Sequence, residues 1–236
     1  MALSTFQARV SRIKDLTHDV RELELRLDEP RTITFKAGQF ISFEIRKEGF
    51  PHAVTRPYSI ASPPSITDRL TLVFNLVAGG PGSTYLYSLQ AGEPVTFKGP
   101  AGSFYLRDDS TKHPLFIATG TGIAPFLSML LAQLERNVNQ PVTLFWGLRY
   151  VRDLYYQDEL ASLTASFPKF SFVTTLSQPE SEWSGPKGRV TALVKERVES
   201  VRDLAVYLCG NGAMIQDVTA LIQSKGLCPI YREKYY

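Results

Sequence analysis

The chain has 236 residues, of which 44% are hydrophobic and 21% are charged. This composition excludes a disordered chain, because it supplies apolar material for one large domain or for two smaller ones. The 26 basic and 23 acidic residues give a net charge of only +3 and form no long like-charged run, so we expect no nucleic-acid partner.

The first half of the chain alternates between polar and apolar residues, as in ELELRL at residues 22–27 and ISFEIR at residues 41–46. A period of two residues is typical of strands with one buried face. Further runs at RPYSIAS, RLTLVFNLV and EPVTFKG raise the count to about six short strands, spaced as in a barrel or a sandwich. A brief helix is predicted at STYLYSLQ.

After the polar stretch at residues 107–114 the pattern changes to short apolar runs, each followed by a segment with helical spacing. The predicted strands are PLFIA, VTLFWGL, FSFVTTLS, AVYLCG and a closing PIYREKYY. The predicted helices are PFLSMLLAQLER, YYQDELASLTASF, TALVKERV and AMIQDVTALIQSK. Alternating strands and helices predict a parallel sheet covered on both faces.

Two glycine turns follow strands of this predicted sheet. In FIATGTGIAPF the glycines Gly120 and Gly122 would let the backbone approach a phosphate, while Pro125 suits a first helical position. The usual dinucleotide fingerprint has a third glycine where Pro125 stands, so the residues alone fit a phosphate site or a plain tight turn. The second turn is CGNG at residues 209–212. Ligands of such sheets bind beyond the carboxyl ends of the strands, where both turns are expected.

The first half holds two further motifs. RPYS places Arg56 and Tyr58 on one face of a strand and Pro57 and Ser59 on the other, which fits either a ligand-binding strand or an ordinary edge strand. The turn GPGST then precedes the brief predicted helix and offers backbone N–H groups to an anion.

The ordered motifs RPYS, GPGSTYL, GPAGSF, GTGIAP and CGNGAM cover nearly the whole chain, and together they resemble the ferredoxin–NADP reductase superfamily. This resemblance implies an N-terminal six-stranded antiparallel Greek-key β-barrel at residues 1–109 that holds FAD. It also implies a C-terminal five-stranded parallel α/β nucleotide-binding domain at residues 110–236 that binds NADPH or NADH.

The resemblance also implies roles for individual residues. Arg56 would meet the FAD pyrophosphate, Tyr58 would stack on the flavin, and Ser59 would hydrogen-bond near flavin N5. Cys209 would border the nicotinamide, and Tyr235 or Tyr236 would cover the flavin ring. The remaining implied cofactor-binding residues are Pro57, Gly82, Ser83, Thr84, Thr119, Gly120, Thr121, Gly122, Arg149, Arg189, Gly210 and Met214.

The choice between NADPH and NADH rests on a few basic residues. Basic side chains suit a ribose 2′-phosphate, and the chain offers Arg149 and Arg152 in LRYVRDLYY and Lys187 and Arg189 in PKGR. The stretch LRYVRDLYY is similar to bacterial NADPH-using members. In contrast, LSQPESEWSGPKG at residues 176–188 is similar to NADH-using oxygenase reductases. We expect NADPH, with NADH as the alternative.

The resemblance, together with the cysteine count, implies a separate protein as electron acceptor. Cys209 and Cys228 are too few for an iron–sulfur cage, so we expect no metal site and a separate ferredoxin or flavodoxin as partner. The alternatives are a free-flavin reductase, a reductase component of an oxygenase system, and an electron-transfer subunit that would add cluster-binding cysteines. The N-terminus MALSTFQARVSR has no apolar signal segment, so we expect a cytoplasmic protein without a membrane partner. We also expect a monomer.

Overall fold

The computed structural model describes residues 3–46, 52–136 and 140–235. The chain forms two compact units, which are described separately below. The first comprises Met1–Leu106 with Ala124–Ala132, and the second comprises Arg107–Ile123 with Gln133–Tyr236.

The first unit contains a six-stranded antiparallel sheet and one helix between its fifth and sixth strands. The strands are β1 (Ser4–Asp15), β2 (Val20–Glu29), β3 (Phe40–Ile45), β4 (Val54–Ser59), β5 (Arg69–Asn75) and β6 (Pro94–Ala101), and the helix is α1 (Pro81–Ser88). Their order is β4-β3-β6-β1-β2-β5. Because β6 returns to lie between β1 and β3, the connection is of the Greek-key type.

The edge strands of this sheet come together, so that the sheet curls. A bridge joins Ile60, just after β4, to Leu72 of β5, and the Ala61 amide donates to the Thr71 carbonyl at 2.8 Å. The apolar residues of the alternating runs, such as Leu23, Leu25 and Ile41, are fully buried inside the curl. The six antiparallel strands predicted from the sequence are therefore confirmed.

The second unit contains a five-stranded parallel sheet with the order β11-β10-β7-β8-β9. Its strands are β7 (His113–Thr119), β8 (Val142–Leu148), β9 (Phe170–Leu176), β10 (Leu204–Gly210) and β11 (Ile230–Lys234). Three helices, α3 (Gln157–Ser166), α4 (Val190–Arg197) and α5 (Gly212–Lys225), follow β8, β9 and β10 in this unit. Helix α2 (Ala124–Glu135) follows β7 in the chain, and its residues Ala124–Ala132 belong to the first unit. The predicted parallel sheet is confirmed.

The strand order reverses between β7 and β10, which are paired neighbours. In open α/β sheets such a reversal opens a crevice at the carboxyl ends of the two strands. The Gly-Thr-Gly turn forms a 3-10 turn (Gly120–Ile123), and α2 begins at Ala124 rather than at Pro125 as the sequence suggested.

None of the helices described here has the length and apolar character that crossing a membrane requires. Within residues 3–46, 52–136 and 140–235, no cluster of three or more His, Cys, Asp or Glu residues could hold a metal ion.

Candidate functional site

In the first unit, the RPYS strand and the Gly-Ser-Thr turn lie against each other at Gly82. A methyl group added at Gly82 would lie 2.5 Å from the Tyr58 hydroxyl and 2.9 Å from Cγ of Arg56. Because only glycine leaves room there, α1 can begin directly against the Arg56 and Tyr58 side chains. The structure thus brings together three of the residues that the family resemblance assigned to FAD.

The N-terminus of α1 faces this cluster with its backbone donors. Gly80 is its N-cap, Pro81 occupies its first turn, and no described side chain caps it by a hydrogen bond. Uncapped N–H groups and the helix dipole favour an anion. The half-buried Arg56 adds a fixed positive charge, and its Nη1 donates to the Thr55 carbonyl at 2.9 Å. A phosphate-bearing group therefore fits this place.

The side chains of the Gly-Ser-Thr turn are arranged differently from one another. Ser83 is buried, and its hydroxyl accepts the Val77 N–H at 3.0 Å, so that side chain holds its own loop closed. Thr84 is exposed, and its amide donates to the Gly80 carbonyl at 3.0 Å. Ser83 therefore has its backbone rather than its hydroxyl to offer a ligand.

Tyr58 and Ser59 are buried on β4, whereas Pro57 between Arg56 and Tyr58 is exposed. The Tyr58 ring meets Phe43 and Phe74 edge-on, at centroid distances of 5.8 and 5.7 Å. This packing fixes the tyrosine ring with its hydroxyl directed at Gly82.

In the second unit, the two glycine turns interlock at the strand-order reversal. A methyl group at Gly122 would lie 2.5 Å from the Cys209 carbonyl oxygen, and one at Gly210 would collide with the Thr119 side chain. The Thr119 hydroxyl accepts the Asn211 N–H at 2.9 Å. The turns after β7 and β10 therefore form a single structural element.

Helix α5 differs from α1 at its N-terminus. The Asn211 side chain caps α5 by accepting the N–H groups of Ala213 and Met214 at 2.9 and 3.3 Å. Met214, which the family resemblance assigned to cofactor binding, is buried in the core of the second unit. Two donors of this helix are thus already satisfied.

Cys209 lies beside the C-terminal strand. It is fully buried on β10, and it stands opposite Glu233 in the β10–β11 pairing. Burial raises the pKa of the Cys209 thiol well above its usual range, the negative charge of Glu233 raises this pKa further, and a hydrogen bond with the Tyr235 side chain lowers it. The Tyr235 amide donates to the Gly210 carbonyl at 2.9 Å, whereas Tyr236 lies outside the described residues.

Sequence reasoning missed Glu233. Its position two residues before Tyr235, on the same face of a closing strand, is the signal that could have identified it. The strand register was needed to place it opposite Cys209.

Arg149 lies at the carboxyl end of β8 and is exposed. Its carbonyl accepts the Gln178 N–H at 2.8 Å, and the Glu180 carboxylate accepts the Val151 N–H at 2.9 Å. The Val151 N–H lowers the pKa of Glu180, and the charge of Arg152 contributes in the same direction. Glu180, which the sequence analysis also missed, therefore places a negative charge among these cations.

Arg189 is exposed and immediately precedes α4, and a bridge joins nearby Lys187 to Leu176 of β9. Arg149 follows β8, whereas Arg189 lies between β9 and α4. The two arginines are thus held by different segments.

Comparison with known proteins gives two matching family models. They are the oxidoreductase FAD-binding domain over residues 7–105 and the oxidoreductase NAD-binding domain over residues 116–220. Ferredoxin–NADP reductase B of Sorangium cellulosum (strain So ce56) is 33% identical over 93% of this chain and 92% of that protein. The phenol 2-monooxygenase reductase component DmpP of Pseudomonas sp. (strain CF600) is 34% identical, and the chain spans 65% of its length.

Solved structures give the same match. The Amycolatopsis cytochrome P450 reductase GcoB superposes with a TM-score of 0.88 at 30% identity, over 98% of this chain and 70% of that one. A ferredoxin NADP+ reductase from Neisseria gonorrhoeae with bound FAD and NADP superposes with a TM-score of 0.83 over 98% of this chain and 99% of that one. At 23% identity, this superposition is evidence for the fold only.

The two cysteines should react very differently with a thiol reagent. At pH 8 we expect Cys228, which is only partly buried, to be modified first, and Cys209 to react only after unfolding. Labelling with Ellman's reagent in the native and denatured states measures this difference. A Cys228→Ser variant should show no fast-reacting thiol, and rapid native labelling of Cys209 in that variant would contradict the buried, protonated state.

Proposed function

The chain belongs to the ferredoxin–NADP reductase superfamily, and on that premise we propose that it uses bound FAD to carry electrons from NAD(P)H to a separate ferredoxin or flavodoxin. It is an oxidoreductase of the ferredoxin–NAD(P) reductase type, with FAD- and NAD-binding domains. We further propose that residues 1–109 form the FAD domain, that residues 110–236 form the NAD(P)H domain, and that the protein acts as a cytoplasmic monomer.

The observation that carries the FAD assignment is the convergence of Arg56 and Tyr58 on Gly82 at the uncapped end of α1. Arg56 would neutralise the pyrophosphate, and the backbone N–H groups of Gly82 and Ser83 would donate to it. Thr84, whose amide donates to the Gly80 carbonyl, would contribute its exposed side chain. Tyr58 would pack against the flavin, and the Ser59 hydroxyl would hydrogen-bond near N5. When bound, FAD supplies the conversion between hydride transfer and single-electron transfer.

In the second unit, we propose that Thr119, Gly120, Thr121, Gly122 and Gly210 line the path of the NAD(P)H pyrophosphate. The basis is that their two turns interlock at the strand-order reversal. Met214 would then support this path from the core instead of contacting the ligand directly.

Cys209 would border the nicotinamide as a neutral thiol, because burial and Glu233 both oppose its ionisation. Glu233 and Tyr235 would hold it in place from β11 and the following residue. Tyr235 and Tyr236 remain the candidates for covering the flavin ring.

A second candidate, an oxygenase reductase component, is supported by the 34% identity to the phenol 2-monooxygenase component. The two candidates share the same chemistry and differ in the acceptor. A free-flavin reductase would differ more, since its flavin is a substrate that leaves. The Arg56, Tyr58 and Gly82 cluster argues for a retained flavin.

The acceptor class can be measured directly. We expect the purified protein to reduce cytochrome c through an added ferredoxin much faster than it reduces free FMN, because its own FAD stays bound. Steady-state rates with NADPH and equal acceptor concentrations give the ranking. Faster FMN reduction would indicate a free-flavin reductase instead.

Replacing Gly82 with Ala should lower FAD retention. The added methyl group would push Arg56 and Tyr58 out of the position proposed to hold the cofactor. The flavin-to-protein absorbance ratio after gel filtration measures retention.

Gly79→Ala is the matched control. Gly79 has φ of 70°, and among the described residues no atom lies within 4 Å of an added methyl group. This variant adds backbone strain without a collision. Equal FAD loss in both variants would argue that strain in the loop, rather than the cluster at Gly82, controls retention.

We propose that NADPH is preferred over NADH, with Arg149 binding the 2′-phosphate and Arg189 contributing. The support is that Arg149 is an exposed guanidinium at the carboxyl end of β8, on a loop fixed by the Gln178 and Glu180 hydrogen bonds. The Glu180 carboxylate opposes this preference, because it lies near Arg152 and would repel a phosphate.

Arg149→Ala should raise the KM for NADPH by roughly tenfold or more, because a charge-assisted hydrogen bond is lost, and should leave the KM for NADH within about twofold. Side-by-side kinetics with both dinucleotides measure the difference. Arg26→Ala, which removes an exposed cation of β2, is the control and should change neither KM. An equal effect of Arg149→Ala on both dinucleotides would disprove the 2′-phosphate role.

A further inference from the structure

The carbonyl oxygen of Gly120 accepts two side-chain hydrogen bonds. The indole Nε1–H of Trp146 donates to it at 2.9 Å, and the Tyr155 hydroxyl donates at 3.2 Å. Trp146 comes from β8 and is fully buried, whereas Tyr155 precedes α3 and is 6% exposed. Their rings meet edge-to-face at 4.7 Å, so each donor also fixes the other.

These two bonds set the orientation of one peptide group. Gly120 has a left-handed φ of 53°, a conformation in which the turn reverses direction. The C=O and N–H of a planar trans peptide point in opposite directions, so a carbonyl held toward Trp146 directs the Thr121 N–H away from β8. Two donors on one carbonyl also polarise the peptide and strengthen its N–H as a donor.

The other side of Gly120 is open. Among the described residues, no heavy atom lies within 4 Å of a methyl group added there, whereas a methyl group at Gly122 would meet the Cys209 backbone. Gly122 therefore serves packing. Gly120 is therefore the glycine of this turn that leaves room for a ligand beside the backbone.

The residue after Tyr155 has an unusual backbone conformation. The next residue, Tyr156, has φ of 56° and is the one non-glycine residue with positive φ in residues 3–46, 52–136 and 140–235. A left-handed backbone is unfavourable for a tyrosine. The buried indole N–H of Trp146 needs one acceptor, and the Gly120 carbonyl supplies it without any contribution from Tyr155. The second hydrogen bond, from the Tyr155 hydroxyl, therefore indicates that the orientation of the Gly120 carbonyl itself is important.

We propose that Trp146 and Tyr155 are positioning residues for the dinucleotide: together they hold the Gly120–Thr121 peptide in the orientation that binds the NAD(P)H pyrophosphate. This inference rests on the proposed function of the turn. Because both side chains are buried and act through Gly120, they affect dinucleotide affinity and not the flavin.

The test uses Tyr155→Phe, which removes only the hydroxyl, and Trp146→Phe, which removes the indole N–H. Isothermal titration of the FAD-loaded protein with NADP+ and with NAD+ should show the Kd of both raised about three- to tenfold in each variant. The KM for NADPH should rise in parallel, while kcat at saturation and the flavin-to-protein ratio stay unchanged. Tyr231→Phe, which removes a hydroxyl on β11, is the matched control and should leave every value unchanged.

The outcomes separate this inference from the function it rests on. A wild-type protein that binds neither NADP+ nor NAD+ overturns the proposed dinucleotide site. A wild-type protein that binds, together with an unchanged Kd in folded Tyr155→Phe, overturns the positioning role. A lower kcat at unchanged KM overturns it as well. If Trp146→Phe does not fold because its core is disturbed, Tyr155→Phe alone decides.

Discussion

The close approach of the β7 and β10 turns is the constraint on which the second unit's site depends. Gly122 lies against the Cys209 carbonyl, and Thr119 accepts the Asn211 N–H. The hydrogen bond joins the two turns, and a side chain at Gly122 would force them apart. This contact fixes Cys209, the start of α5 and the Gly120–Thr121 peptide relative to one another. The geometry of the proposed dinucleotide site therefore follows from backbone packing at the strand-order reversal.

The two helix N-termini near predicted cofactor residues show how similar motifs acquire different roles. Both follow Gly-rich turns, yet α1 has no described side-chain cap, while Asn211 caps α5. An uncapped terminus keeps its donors and its partial positive charge for an anion. A capped terminus has already used part of that capacity. The N-cap residue, rather than the glycines, distinguishes the two helix N-termini. This residue is Gly80 in α1 and Asn211 in α5, a difference that can be read from the sequence.

The sequence predicted those features that depend on local pattern. Alternation in residues 22–27 and 41–46 predicted two of the six strands, since a period of two residues indicates which face of a strand is buried. Continuous apolar runs such as VTLFWGL predicted strands that are buried on both faces, as in a parallel sheet. The contacts of Glu233 with Cys209, and of Trp146 and Tyr155 with Gly120, could not be predicted. They depend on strand register and on side chains brought together from distant segments, which no spacing rule encodes. The roles of the individual site residues remain predictions.

The state of Cys209 fits a site in which position matters more than acid–base chemistry. Burial and the Glu233 carboxylate both favour the protonated thiol, and the Tyr235 hydrogen bond only partly offsets them. A neutral thiol is a poor nucleophile and a small apolar surface. Hydride transfer needs the reacting rings held in contact and water excluded, and it requires no ionised side chain. A negative charge beside a buried cysteine, which would be unsuitable for covalent catalysis, is therefore compatible with this reaction.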